Sequence, residues 1–309
     1  MIPFSLPTSK HKFCHLCGRP LVLAYTEYST GLVVCPACER SAPRCSHCKQ
    51  PARELIATDQ GHFCKHCLAS LPRCAACAKP LTGRFYRIGD SPKPYCATCA
   101  TEKPACHICG APLGLDGRQL VGGQYRCGEC ARTMVLDEQI VRALYQMVIQ
   151  QASAILEKAV GQTPRLHIVE PAELAMVRQR HGNLTPAIGS TKQHILGFFE
   201  QRGQERTIYI ERGLPRATLI GTLAHEYAHA WQVDHAPTEQ DLLLREGFAE
   251  WLAYRILVAQ GHTREAARAT RREDDYGRGL RYFIALEQQS SRQRVFAEAT
   301  RAKGLTNIP

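Results

Sequence analysis

Cysteine placement constrains this chain more than any other feature. All 16 cysteines lie before residue 131, in eight C-x-x-C pairs: Cys14/Cys17, Cys35/Cys38, Cys45/Cys48, Cys64/Cys67, Cys74/Cys77, Cys96/Cys99, Cys106/Cys109 and Cys127/Cys130. Long gaps of 15 to 18 residues alternate with short gaps of six, so units begin at Cys14, Cys45, Cys74 and Cys106. Such alternation predicts four sequential four-cysteine modules. A 30-residue unit cannot bury enough apolar surface to fold alone, and a bound metal takes over that role. Four thiolates per unit select zinc, giving four structural Zn2+ sites. Residues 1–13 read as a tail without an apolar leader region, so neither export nor disulfides are expected, and the chain is expected to be cytoplasmic. No run approaches the roughly 18 apolar residues of a spanning helix, so no membrane is expected.

Each first pair is followed by a similar turn: Gly18-Arg19-Pro20-Leu21, Lys49-Gln50-Pro51-Ala52, Ala78-Lys79-Pro80-Leu81 and Gly110-Ala111-Pro112-Leu113. A short strand pair follows, with Phe63 or Tyr95 ahead of the second cysteine pair in two of the units. The units look like zinc-ribbon or LIM-type fingers and resemble two tandem LIM domains, over 14–68 and 74–131. They depart from that pattern in having eight cysteines per pair of fingers, with no histidine needed, and in the six-residue spacer. His15, His47, His66 and His107 lie inside cysteine pairs, and with four thiolates already present they are expected to be exposed residues rather than ligands.

The formal charge of +11 looks like a nucleic-acid signature, but its distribution weakens that reading. Residues 1–132 hold 17 Lys+Arg against 8 Asp+Glu, and the remainder 22 against 20. Each zinc tetrathiolate centre is formally −2, so with all its metals the protein carries about +5. The fingers are therefore expected to bind a protein partner or to position the rest of the chain, not to bind nucleic acid.

Beyond the fingers, Leu223-Ala224-His225-Glu226-Tyr227-Ala228-His229-Ala230-Trp231 contains H-E-x-x-H among apolar residues. On a helix, His225 and His229 lie one turn apart and present two imidazoles to one point. Glu226, rotated by about 100°, can face a water on the metal and take its proton. The helix is apolar nearly all round from Pro215 onward, so it is expected to be buried, where the polar trio needs a partner such as a metal. Glu246, in Glu246-Gly247-Phe248-Ala249-Glu250, supplies the third ligand from a new helix opened by Thr238 and Asp241. His225, His229 and Glu246 make the two-histidine, one-glutamate set of a catalytic zinc. Glu250, one turn on, is expected to orient a ligand histidine.

Residues 135–309 are expected to form an α+β zincin-like domain. A helix is predicted from Val135 up to Val160, a strand at Leu166–Val169 and a short helix at Pro171–His181. Two strands follow, at His194–Phe199 and Thr207–Ile210, with Gln193–Glu200 the candidate edge for a substrate strand. Thr263–Glu273 reads as a charged helix or linker. The stretch Asp274–Leu280 is predicted as a glycine-punctuated turn, with a last helix over roughly Leu280–Ala302. Tyr276 is a candidate oxyanion-stabilising group.

Gly213-Leu214-Pro215-Arg216, Leu223-Ala224-His225-Glu226, His229-Ala230-Trp231, Glu246-Gly247 and Tyr276-Gly277-Arg278-Gly279, behind cysteine fingers, together resemble the LIM-peptidases that regulate plant organ size, the "DA-one" family. The resemblance covers most of the chain. It implies a gluzincin-like zinc endopeptidase acting on protein substrates, with His225, His229 and Glu246 as ligands and Glu226 as general base. The plant members carry ubiquitin-interacting helices ahead of their fingers. Only 13 residues precede Cys14 here, so no such segment is expected. The competing expectation is a zinc-finger adaptor or nucleic-acid-binding protein with an inactive metallopeptidase-like domain.

Overall fold

The computed structural model describes residues 12–22, 24–88, 93–120, 123–180 and 195–301. It holds four tetra-cysteine clusters in tandem, followed by a helix-rich region. The chain divides into two compact units, Met1–Tyr86 with Lys93–Thr101, and Arg87–Pro92 with Glu102–Pro309. The first three clusters lie in the first unit, and the fourth lies with the helical region in the second.

Every module is built the same way. The first cysteine pair sits in a tight knuckle closed by antiparallel pairing, Phe13 with Pro20, Arg44 with Pro51, Arg73 with Pro80 and Ala105 with Pro112. The prolines seen as a sequence repeat thus close the knuckle, where they owe no N–H to a ladder. The residue after each knuckle is left-handed: Gly18, Lys49, Ala78 and Gly110 all have positive φ. A second short hairpin leads into a helix of five or six residues that carries the last cysteine. Cys35, Cys64 and Cys127 cap their helices, each sulfur accepting from the N–H three residues on. His15, His47, His66 and His107 are all exposed, as the cysteine count requires.

The helical region opens with α1 (Glu138–Ile155), capped by Asp137. It buries Val141, Leu144, Tyr145, Val148 and Ala152, an apolar stripe at helical spacing. Leu156 caps it, so it stops short of Val160. A three-stranded sheet follows, from β1 (Arg165–Val169), then after α2 (Pro171–Arg180) β2 (Gly197–Arg202) and β3 (Glu205–Glu211). β3 is central, parallel to β1 and antiparallel to β2. Among the described residues, β2 is therefore an edge strand. It covers the C-terminal part of the predicted edge, whose Gln193 and His194 lie outside the described residues.

Against this sheet packs α3 (Arg216–His235), buried nearly all round. Then come α4 (Leu242–Ala259), α5 (Thr263–Thr270), α6 (Asp275–Gln289) and α7 (Arg292–Ala299). The core is aromatic where α3, α4, α6 and α7 meet: Trp231, Phe248, Trp251, Phe283 and Phe296. Both indole N–H groups are satisfied, Trp231 by Lys158 O at 3.0 Å and Trp251 by Glu287 at 2.9 Å.

Two expectations fail at the C-terminal end. Asp274–Leu280 is not a turn: Asp274 caps α6, accepting from the N–H of Gly277 at 3.1 Å, and the glycines lie inside the helix. Their reason is close approach, because a Cβ on Gly247 would lie 2.6 Å from Gly279 Cα. Gly247 and Gly279 let α4 and α6 cross almost backbone to backbone, while Gly277 makes room for the backbone of Arg272. The single last helix is also two, since Ser290 ends α6 and Ser291 caps α7 by accepting from Arg294 N.

Candidate metal centre

α3 and α4 bring three candidate metal-ligand residues together. His225 Nε2 and His229 Nε2 are 3.1 Å apart, and Glu246 Oε2 lies 3.2 Å from the first and 3.4 Å from the second. For zinc bonded at about 2.0–2.1 Å, tetrahedral geometry separates neighbouring ligand atoms by about 3.3–3.4 Å. The triangle fits one ion with a fourth position open. Three of the four cysteine clusters pass the same test on the sulfur distances. Cys17–Cys35, Cys77–Cys96 and Cys109–Cys127 sulfurs stand 3.8, 4.0 and 3.7 Å apart. The edge for thiolates on zinc at about 2.3 Å is about 3.8 Å, and a disulfide would be near 2.05 Å. All 16 cysteines are free. Backbone N–H groups approach the sulfurs, as from Cys64 to Cys45 and from Cys96 to Cys74, both at 3.3 Å. Such donors favour the thiolate.

Local rules place the ligands. His225 and His229 share a helix face because they are four residues apart. Asp241, not Thr238, caps α4, accepting from Leu243 N at 2.9 Å, which puts Glu246 in the second turn as expected. Glu246 is 2% exposed, and its charge is compensated by the two histidines. Burial works to raise its pKa, but His229 and His225 hold it well below the usual carboxylate range. For His225 burial works downward, yet Glu246, Glu250 and Glu226 raise it to about 9. The carboxylates around these imidazoles thus favour positive charge at this point.

The outer shell is equally built. Glu250 Oε1 lies 3.5 Å from Nδ1 of His225 and accepts from Arg272 Nη1 at 3.1 Å. Gln232 was not singled out from the sequence. Its Oε1 sits 2.7 Å from His229 Nδ1, while its Nε2 donates to Arg245 O at 2.7 Å. Because that carbonyl can only accept, the amide oxygen must face the ring. His229 then carries its proton on Nδ1 and turns a lone pair of Nε2 toward the ligand point. The only signal in the sequence was a glutamine three residues after His229. Arg272 gave none.

Glu226 lies beside the edge strand, accepting from the Phe199 N–H; burial raises its carboxyl, as does Glu246, against the histidines. A Cβ on Gly197 would meet Thr222 Cγ2 at 2.6 Å and Glu226 Cγ at 3.1 Å, so glycine lets the strand lie close. Tyr276 stacks on His225 with centroids 5.9 Å apart, and Arg272 covers its ring at 4.6 Å. Burial, with the charges of Glu246 and Glu226, pushes its phenol up. These groups line a cleft of about 440 Å3. Among the described residues, no helix is long and apolar enough to cross a membrane. The chain matches no protein-family model, and a search of curated proteins finds no relative.

Proposed function

We propose that the chain is a zinc-dependent endopeptidase that cleaves protein substrates in this cleft, a relative of the LIM-peptidases it resembles. The observation that carries the reading is the His225, His229 and Glu246 triangle at tetrahedral spacing, with Glu226 next to it and an edge strand alongside. Zinc held by these three residues supplies Lewis acidity, lowering the pKa of a water and polarising a carbonyl.

The chain's own groups do the rest. β2 offers an edge to which an extended substrate can add as a strand, placing a peptide bond beside the metal. Glu226 takes the proton of the attacking water as general base and passes it to the leaving amine. Tyr276, with its phenol kept protonated, donates a hydrogen bond to the developing oxyanion. Glu250 and Gln232 hold the two histidines. Four further zinc ions belong in the cysteine clusters, and the free thiols support a reducing, cytoplasmic setting. The first three fingers are assigned to protein recognition.

The test is Glu226→Gln in the full chain. Peptide hydrolysis falls by at least about 10²-fold while metal analysis still finds five zinc; hydrolysis at the parental rate overturns the mechanism. His225→Ala/His229→Ala lowers the count to four. Four in both proteins would favour an adaptor with an empty peptidase-like domain.

A further inference from the structure

The fourth cysteine module differs from the others in what it touches. Arg126, just ahead of Cys127, pairs with Glu211 at the end of β3 at 2.5 Å, with both side chains buried. Just after the module, Thr133 O accepts from Arg216 N and Val135 N donates to Leu214 O, at 2.9 and 3.0 Å. These bonds tie the chain to the start of the helix that carries His225. Inside the Cys106/Cys109 knuckle, Ile108 packs against the helical core and its carbonyl accepts from Arg268 Nη1 at 2.8 Å. Arg268 in turn pairs with Glu265, which accepts from Thr218 on α3. Leu16, the counterpart of Ile108 in the first module, packs against Cys14, Val34 and Cys35 of its own module.

The same knuckle borders the cleft. His107 and Ile108 line it together with Gly197, Glu226 and Tyr276. His107 is exposed but oriented, its Nδ1 2.6 Å from Tyr125 N and its ring stacked on Tyr125. Ile108 is only half-buried, dividing its surface between core and cleft.

Resting on the metallopeptidase reading above, we propose that the fourth cysteine module is a working wall of the substrate cleft. His107 and Ile108 contact the bound polypeptide, and the metal in that module fixes where they stand. Cys106 and Cys109 flank the two residues, so closing the tetrad pins their backbone at both ends. The fourth module is thus a specificity-determining part of the peptidase, whereas the first three belong to another unit.

Two measurements on the full-length, zinc-loaded protein decide it. Titration calorimetry compares acetohydroxamate, which reaches only the metal, with a peptidyl hydroxamate that runs along the cleft. Ile108→Ala and His107→Ala should each weaken the peptidyl ligand, Ile108→Ala by about tenfold. Acetohydroxamate should change by no more than about twofold, and Ile108→Val should restore most of the loss. Equal effects on both ligands, or none on either, overturn the wall. If neither ligand binds the parental protein, the metallopeptidase reading falls and takes the substrate contact with it. The second measurement uses the two tryptophans, Trp231 and Trp251, both in the helical core. Their fluorescence melting point should fall by several degrees in Cys109→Ser and stay put in Cys48→Ser. Equal behaviour of the two variants would show that the fourth metal does not support the wall.

Discussion

Removing one partner of the Arg126–Glu211 pair should be among the costliest single changes in this protein. The Arg126 side chain is 0% exposed and that of Glu211 1%, with Nη2 and Oε1 2.5 Å apart. Arg126→Ala takes the buried guanidinium from the Glu211 carboxylate, and Glu211→Ala takes the carboxylate from the guanidinium, in a site with almost no water. Breaking buried pairs this way costs about 3–5 kcal/mol. For a unit of some 200 residues each kcal/mol moves the melting point by about 2–4 °C, so a drop of roughly 6–20 °C is expected. The pair itself is worth much less than that. Arg126 Nε and Nη1 have no acceptor, so part of the guanidinium's desolvation is uncompensated. Replacing both partners by apolar side chains, as in Arg126→Met/Glu211→Leu, should therefore recover most of the loss. Guanidinium denaturation followed by tryptophan fluorescence reads the helical unit directly, because both tryptophans are in its core. Single variants within about 1 kcal/mol of the parent would refute the burial argument. A double variant as unstable as the sum of the singles would refute the claim that breaking this buried pair is what costs.

Three further outcomes follow from particular contacts. Gly279→Ala puts a methyl carbon 2.5 Å from Leu243 O and 2.6 Å from Gly247 Cα, so α4 and α6 must separate. We expect a loss of about 1–3 kcal/mol in chemical denaturation, and weaker zinc retention against a chelator because Glu246 rides on α4. Ala78 holds φ at +60°, where glycine carries no Cβ penalty. Ala78→Gly should stabilise the third module by about 1 kcal/mol, seen as slower zinc loss to a chelator, and faster loss would contradict it. Asp234 has its carboxyl lowered from 3.8 by the hydrogen bonds from Arg206, against burial, so its stabilising effect is complete above that value. That stability is lost as pH falls through the depressed folded pKa. Asp234→Asn should flatten the stability–pH curve below about pH 4, and an unchanged slope would remove Asp234 from the account.

What was legible in the sequence is what depends on local spacing. The cysteine rhythm announced four modules because each tetrad closes within one short loop. His225 and His229 could be read as a pair because helix geometry alone sets their separation. Glu246 could be read because one turn after α3 leads straight into the next helix, and a capping aspartate marks where that helix begins. Gly277 and Gly279 misled for the converse reason. Taken locally, glycines signal a turn, but Gly279 answers to a crossing with Gly247, some thirty residues away, and Gly277 to the close approach of Arg272. Gln232 reaches His229 within one helix turn, but the bond to Arg245 O that fixes its amide, like the bond from Arg272 to Glu250, joins groups that no helix spacing connects. The role of the fourth module was hidden most completely. Its cysteines repeat those of the other three, and Ile108 looks no different from Leu16. Which module joins the helical unit is decided by a buried charge pair 85 residues apart in sequence and by a carbonyl held by Arg268. Local spacing thus determined the metal-binding parts, and only long-range packing decided which of them stand together around the cleft.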